Sequence, residues 1–251
     1  MTSAVLSAQN LVMRFGGITA TNKVTLALQK GARHALIGPN GAGKTTLINL
    51  LTGFLEPSAG EVFLKGDNVT RLAQHQRVKR GLARTFQINR LFADMSVLES
   101  VTLAVCERRG IGSRWWNPVG SHVEAIDEAA ALLQQLRLID VAYHQTKSLA
   151  YGRQRLIEIA LALAAKPTVL LLDEPAAGVP TSESRELFET IAQLPREVTI
   201  LLIEHDMDLV FRFADRISVL VGGALVAEDT PDGIAKDKRV KEVYLGEALD
   251  G

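Results

Sequence analysis

The stretch LIGPNGAGKTTLINLLTGF, Leu36 to Phe54, decides the reading of this chain. A strand, Arg33 to Ile37, feeds a loop of small residues, and a helical pattern starts at Lys44 and stops at Gly53. Gly38, Pro39, Asn40, Gly41, Ala42, Gly43, Lys44 and Thr45 fit the spacing G-x-x-x-x-G-K-[ST] between a strand and a helix. Glycines leave no Cβ in the way, so successive N–H groups can wrap an anion closely. The helix beginning beside Lys44 aims its positive end at the same point. Lys44 is expected to reach the β- and γ-phosphates, and the Thr45 hydroxyl to complete the coordination of Mg²⁺, with Thr46 counted in the same cradle. The loop is therefore predicted to hold the triphosphate tail of a nucleotide.

The rest of the sequence fits around this loop. The chain has 251 residues, 47% of them hydrophobic, enough for one large α/β domain or a main domain with a subdomain. Lys+Arg 28 against Asp+Glu 28 leaves no net charge, so a nucleic-acid partner is not expected. No apolar run approaches the roughly 20 residues of a membrane-spanning helix. No secretory signal is visible, and the chain is expected to stay in the cytoplasm. The single cysteine, Cys106, stands among Val101, Ala104 and Val105 and reads as a small buried apolar group.

Short strands with turns are expected over Val5 to Lys30, where Val24, Leu26 and Leu28 alternate with polar or small neighbours. Between Asn89 and Ala165 the character changes. Ser96 with Glu99 forms a capping box ahead of Val97, Leu98 and Val101, and Val123 to Leu138 is a second helical pattern. Strand and helix runs then alternate from Thr168 to Val221, which implies βαβ units and a parallel sheet. We expect a nucleotide-binding α/β core from residues 1–87 and 166–251, interrupted by a helical subdomain over 88–165.

More chemistry lies at the ends of the later strands. VLLLDEP, Val169 to Pro175, is a buried run ending in two carboxylates at the edge of a parallel sheet where ligands of open α/β folds collect. Asp173 there can hold the metal through water and Glu174 can polarise an attacking water; capping of the next helix is the plainer alternative. TILLIEHD brings His205 to the end of another strand, within reach of a γ-phosphate, and Gln87, closing LARTFQ, is long enough to approach the metal and its water. Lys44, Glu174, His205 and Gln87 are thus the catalytic candidates, and Thr45, Gln87 and Asp173 the metal-binding ones.

Together, GPNGAGKTT, RTFQ, LAYGRQR, LLLDEP and IEHDM stand in the order and spacing of an ABC transporter ATP-binding subunit, a P-loop NTPase, and the resemblance covers nearly the whole chain. GLARTFQINRLFADMSVLESV and VKEVYLGEAL look most like the ATP-binding subunits of branched-chain amino acid importers; relatives in that branch carry urea-like and aromatic solutes. The resemblance implies an ATPase core with a mostly parallel sheet, an N-terminal antiparallel β subdomain and the inserted helical subdomain. It also implies that two subunits face head to tail and sandwich ATP with Mg²⁺. In that arrangement Leu149, Ala150, Tyr151, Gly152 and Arg153 supply the signature that closes over the opposite nucleotide, a second helix N-terminus offered to one anion. Phe15 falls where the family stacks an aromatic ring on adenine; a core phenylalanine is the competing reading. Gln87 would sit at the hinge between core and insert.

Two positions depart from the pattern. The family often has serine at Ala150, and Asp or Asn at Pro180, so polar contacts on the face offered to the partner are lost. This points to a second, homologous but different ATPase subunit as partner. Two membrane permeases and a periplasmic or extracellular solute-binding protein complete the implied assembly, with this chain peripheral on the cytoplasmic face of the inner or plasma membrane. The competing functions are a soluble ATPase of the same superfamily acting on DNA repair or ribosomes, a non-catalytic nucleotide switch, and a small-molecule kinase. Trp115 and Trp116 are expected to pack on the insert or to touch the permease or lipid.

Overall fold

The computed structural model describes residues 4–85, 94–111 and 122–247. Gln87, Trp115 and Trp116 lie outside the described residues. The chain forms two compact units: Met1–Leu82 with Thr168–Glu174 and Arg196–Gly251, and Ala83–Pro167 with Pro175–Pro195. The helical unit thus takes in Pro175–Pro195, which the expected core range had included, because the helix Thr181–Ala192 packs on the helix Tyr151–Ala164.

In the first unit, β1 (Ala4–Phe15), β2 (Ile18–Gln29), β4 (Ala59–Leu64) and β5 (Asp67–Asn68) form an antiparallel sheet in the order β2-β1-β4-β5. Val24, Leu26 and Leu28 face the core as their alternation predicts. The first two strands are not short, however: each runs twelve residues, and several register shifts between them break the period that would have marked a long hairpin.

The second sheet contains β3 (Arg33–Ile37), β6 (Leu82–Arg84), β7 (Val169–Asp173), β8 (Thr199–Ile203), β9 (Arg216–Val221) and β10 (Ala224–Asp229), in the order β10-β9-β3-β8-β7-β6. Strands β9, β3, β8 and β7 are parallel, and β10 returns antiparallel to β9. Every residue of β3 and β8 is buried, the consequence of a sheet covered on both faces, and it explains the apolar runs Ile200–Ile203 and Ala35–Ile37.

Helix α1 (Lys44–Thr52) buries Leu47, Ile48, Leu50 and Leu51 completely, in one core with Leu6, Leu28 and Val62 of the antiparallel sheet and Leu36, Leu171 and Leu201 of the parallel one. Each such leucine contributes about 2 kcal/mol of apolar burial before entropy is counted. Gly53, in the left-handed conformation, ends the helix. Its last carbonyls are met by Arg77 of α2 (Gln74–Lys79), whose guanidinium donates to the oxygens of Leu50 and Leu51 at 2.7 Å, Thr70 at 2.8 Å and Leu72 at 2.9 Å. Burial pushes the Arg77 pKa down to about 10, and the charge is held by peptide dipoles at the negative end of α1.

A second buried polar group sits in β3. His34 Nε2 lies 2.8 Å from Ser218 Oγ, and that hydroxyl donates to Glu228 at 3.0 Å. Burial lowers the His34 pKa to about 4, against the opposing pull of Glu228, so the ring is neutral at physiological pH.

The second unit is built on α3 (Val97–Arg108), α4 (Val123–Gln135), α5 (Tyr151–Ala164) and α6 (Thr181–Ala192). The expected capping box is present: Ser96 Oγ accepts from the Glu99 N–H at 3.2 Å, and the Glu99 carboxylate accepts from the Ser96 N–H at 2.9 Å. Val97, Val101, Val105, Ala125, Ala129 and Leu133 are fully buried where α3 meets α4, with Cys106 beside them as a buried thiol.

Candidate active site

The parallel sheet brings the site together by register. Ile203 pairs with both Leu36 and Asp173, so β3, β8 and β7 end abreast, and the loops that leave them emerge on one edge. The first loop is the glycine-rich cradle, the second carries His205 and the third Glu174.

Gly43 ends the cradle and caps α1. Its φ is +99°, and a Cβ there would lie 2.3 Å from the Ala20 carbonyl oxygen, so only glycine fits. Lys44 is buried, and its ammonium group donates to the carbonyls of Gly38 at 2.6 Å and Pro39 at 2.9 Å. The loop thus folds round its own cation and fixes the ammonium beside the first turn of α1.

Glu174 leaves β7 with φ +47°, a strained backbone for a residue with a side chain, and its N–H donates to the Ile203 carbonyl at 3.0 Å. That twist turns the carboxylate toward the next strand, where Glu174 Oε1 lies 2.6 Å from His205 Nε2. A carboxylate can only accept, so Nε2 carries the hydrogen of this pair. The His205 N–H is in turn held by the buried Glu204 carboxylate at 3.0 Å, which fixes the backbone from which the ring projects.

A cleft of roughly 350 Å³ joins these parts. Among the expected residues, Asn40, Gly41, Ala42, Gly43, Lys44, Thr45, Thr46, Glu174 and His205 line it. Gly38 and Pro39 stand behind it as partners of Lys44, and Asp173 ends β7 beside Ile203. Phe15 does not line the cleft and is no core residue: it is 46% exposed and pairs across the hairpin with Ile18, which does line it.

Sequence reasoning missed Ile18, Thr19 and Ala20 at the start of β2, and Gly222 and Gly223 in the turn from β9 to β10. Backbone bonds stitch these to the cradle: the Asn22 N–H donates to Gly223 O at 2.7 Å, and the Gly223 N–H donates to Ala42 O at 3.0 Å. Only the glycine pair after the apolar run Ile217–Val221 offered a signal, that of a turn.

Ala150, Tyr151 and Gly152 lie in the helical unit, at the start of α5. Ala150 is the N-cap and makes no side-chain cap. Arg155 packs over the Tyr151 ring at 5.0 Å, pairs with Glu158 at 2.9 Å in a buried position and donates to the Ala177 carbonyl at 3.3 Å.

Residues 21–177 match the ABC transporter family. The chain belongs to the ABC transporter family. It is 43% identical to the high-affinity branched-chain amino acid transport ATP-binding protein LivG of Escherichia coli (strain K12), over 99% of this chain and 100% of that protein. To the corresponding BraF of Pseudomonas aeruginosa it is 40% identical, again over 99% of this chain and 100% of that one. Among solved structures, the ADP conformation of an ATP-binding cassette of an ABC transporter superposes with a TM-score of 0.86 at 30% identity, covering 98% of this chain and 100% of that one. The α/β core, with its mostly parallel sheet and separate antiparallel sheet, is the ABC ATPase fold.

Proposed function

We propose that this chain is the ATP-binding and ATP-hydrolysing subunit of an importer for branched-chain amino acids or a related small solute. The observation that carries the reading is the cleft in which the Lys44 cradle and the Glu174–His205 pair face one space. Near full-length similarity to LivG and BraF supports the importer and its cargo class.

In this reading Lys44 and the N-terminus of α1 orient the β- and γ-phosphates of ATP. Glu174 accepts a proton from the attacking water, and His205 holds its carboxylate in line. A bound magnesium ion, held by few protein ligands, would supply charge neutralisation at the transferring phosphate. Among the described residues no group of three or more His, Cys, Asp or Glu forms a metal cage, and none is needed: the Thr45 hydroxyl on the cleft wall, with Asp173 through water, would hold such an ion. Phe15, exposed at its hairpin, is the stacking surface for adenine.

A second, homologous ATPase subunit presents its own signature loop to this cleft, while Ala150, Tyr151 and Gly152 serve the partner's nucleotide. Among the described residues no helix is long and apolar enough to cross a membrane. The solute path then belongs to two permease subunits fed by a solute-binding protein, with this chain peripheral on the cytoplasmic face.

The test is phosphate release by the reconstituted transporter, with its binding protein, across candidate solutes. Stimulation by leucine-like solutes is expected. Stimulation only by urea or an aromatic acid would reassign the cargo, and stimulation by none would contradict the import role.

A further inference from the structure

Helix α5 begins without a side-chain cap, because Ala150 offers only a methyl group where an N-cap oxygen would sit. Its first-turn donor is nevertheless satisfied. The Gly152 N–H donates to Glu183 Oε2 at 2.8 Å, and Glu183 comes from the first turn of α6 within the same unit. One carboxylate therefore sits at the positive ends of two helices, its own and the signature helix. Gly152 makes room for it: a Cβ at that position would lie 2.9 Å from Glu183 Oε2 and 3.1 Å from Glu183 Cβ.

Two further contacts tie the same segments together. The Tyr151 ring lies 3.3 Å from the position a Cβ on Gly178 would take, and Arg155 donates to the Ala177 carbonyl. The loop that follows Pro175 is thus fastened to the start of α5 with Glu183 as its charged end.

We propose that Glu183 is an internal stand-in for phosphate: it occupies the anion seat of the signature helix and must leave when the partner subunit's nucleotide arrives. The inference rests on the reading of Ala150, Tyr151 and Gly152 as the signature. The reasoning is electrostatic. A γ-phosphate and a carboxylate cannot both sit on the Gly152 N–H, and like charges at that separation repel. ATP-driven closure therefore begins by breaking a charge-assisted hydrogen bond, and the open state of this subunit is favoured by the strength of that bond. Because Ala150 cannot cap α5 in its place, releasing Glu183 leaves that donor open for the phosphate alone.

The test is the ATP concentration for half-maximal hydrolysis by the assembled transporter carrying Glu183→Gln. Gln keeps an acceptor for the Gly152 N–H, so the unit folds, but it has no charge to oppose the phosphate. The half-saturating concentration should fall about tenfold, the equivalent of losing the charged part of one hydrogen bond. Glu183→Ala should move it in the same direction. A carboxylate that only caps α5 would give the opposite result, since its loss would fray the signature and raise that concentration. An unchanged or raised value in Glu183→Gln overturns the inference and leaves the proposed function standing. Absence of ATP hydrolysis by the unsubstituted transporter would instead overturn the function on which it rests.

Discussion

Replacing Gly43 by alanine tests the geometry of the cradle. The added Cβ would lie 2.3 Å from the Ala20 oxygen, whereas carbon–oxygen contacts sit at about 3.3 Å or more, so loop and strand must part by roughly 1 Å. The backbone at φ +99° adds about 1–3 kcal/mol for any residue with a side chain. Neither cost can be relieved without moving the N-terminus of α1 or the start of β2, and both line the cleft. If the loop gives up about 3 kcal/mol of this by distorting, ATP affinity falls at least about 100-fold. Gly41 is the control. Its φ is also positive, at +76°, but a Cβ there meets nothing within 4 Å, so Gly41→Ala should cost only about 1 kcal/mol, or about fivefold in affinity. Calorimetric titration of the two purified variants with Mg·ATP measures the difference. Equal affinities would refute the argument that close approach of Ala20, rather than backbone freedom alone, requires glycine at 43.

Two further outcomes concern stability. His34 is held neutral by burial, its pKa down from 6.5 to about 4, so its stabilising contribution is complete above pH 6.5 and is lost as the pH falls toward 4. Denaturant unfolding should show that loss, up to about 3 kcal/mol, between pH 7 and pH 4, and His34→Gln should flatten that part of the profile. Arg77→Met removes the guanidinium donor from four carbonyls, two at the end of α1, of which Leu50 keeps the Gly53 N–H at 3.3 Å; equilibrium unfolding should register a loss of about 2–4 kcal/mol. A change within about 0.5 kcal/mol would mean that water replaces the guanidinium freely.

The cradle was legible in the sequence because its chemistry is local: eight consecutive residues, a strand before and a helix after. Glu174 and His205 were legible as strand ends, and the register of β3, β8 and β7 is what makes them neighbours. The far wall was not legible. Ala20 and Gly223 contribute backbone, which has no residue signature, and they meet the cradle through the Gly223–Ala42 and Asn22–Gly223 bonds and the close approach of Ala20 to Gly43, none of them local in sequence. Gly152 and Glu183 look like a loop glycine and a surface helix charge until α5 and α6 are packed together. His34 and Arg77 read as ordinary polar residues, since burial of a single polar side chain leaves no periodic trace. Phe15 was ambiguous between core and stacking surface, and exposure at the hairpin decides against the core.

Release of phosphate by the assembled transporter carrying Glu174→Gln tests most directly that this cleft hydrolyses ATP. The account predicts that ATP stays bound while turnover falls at least about 100-fold, because the amide keeps the shape of the site but cannot take the proton. Turnover at the unsubstituted rate, with ATP still bound, would contradict it.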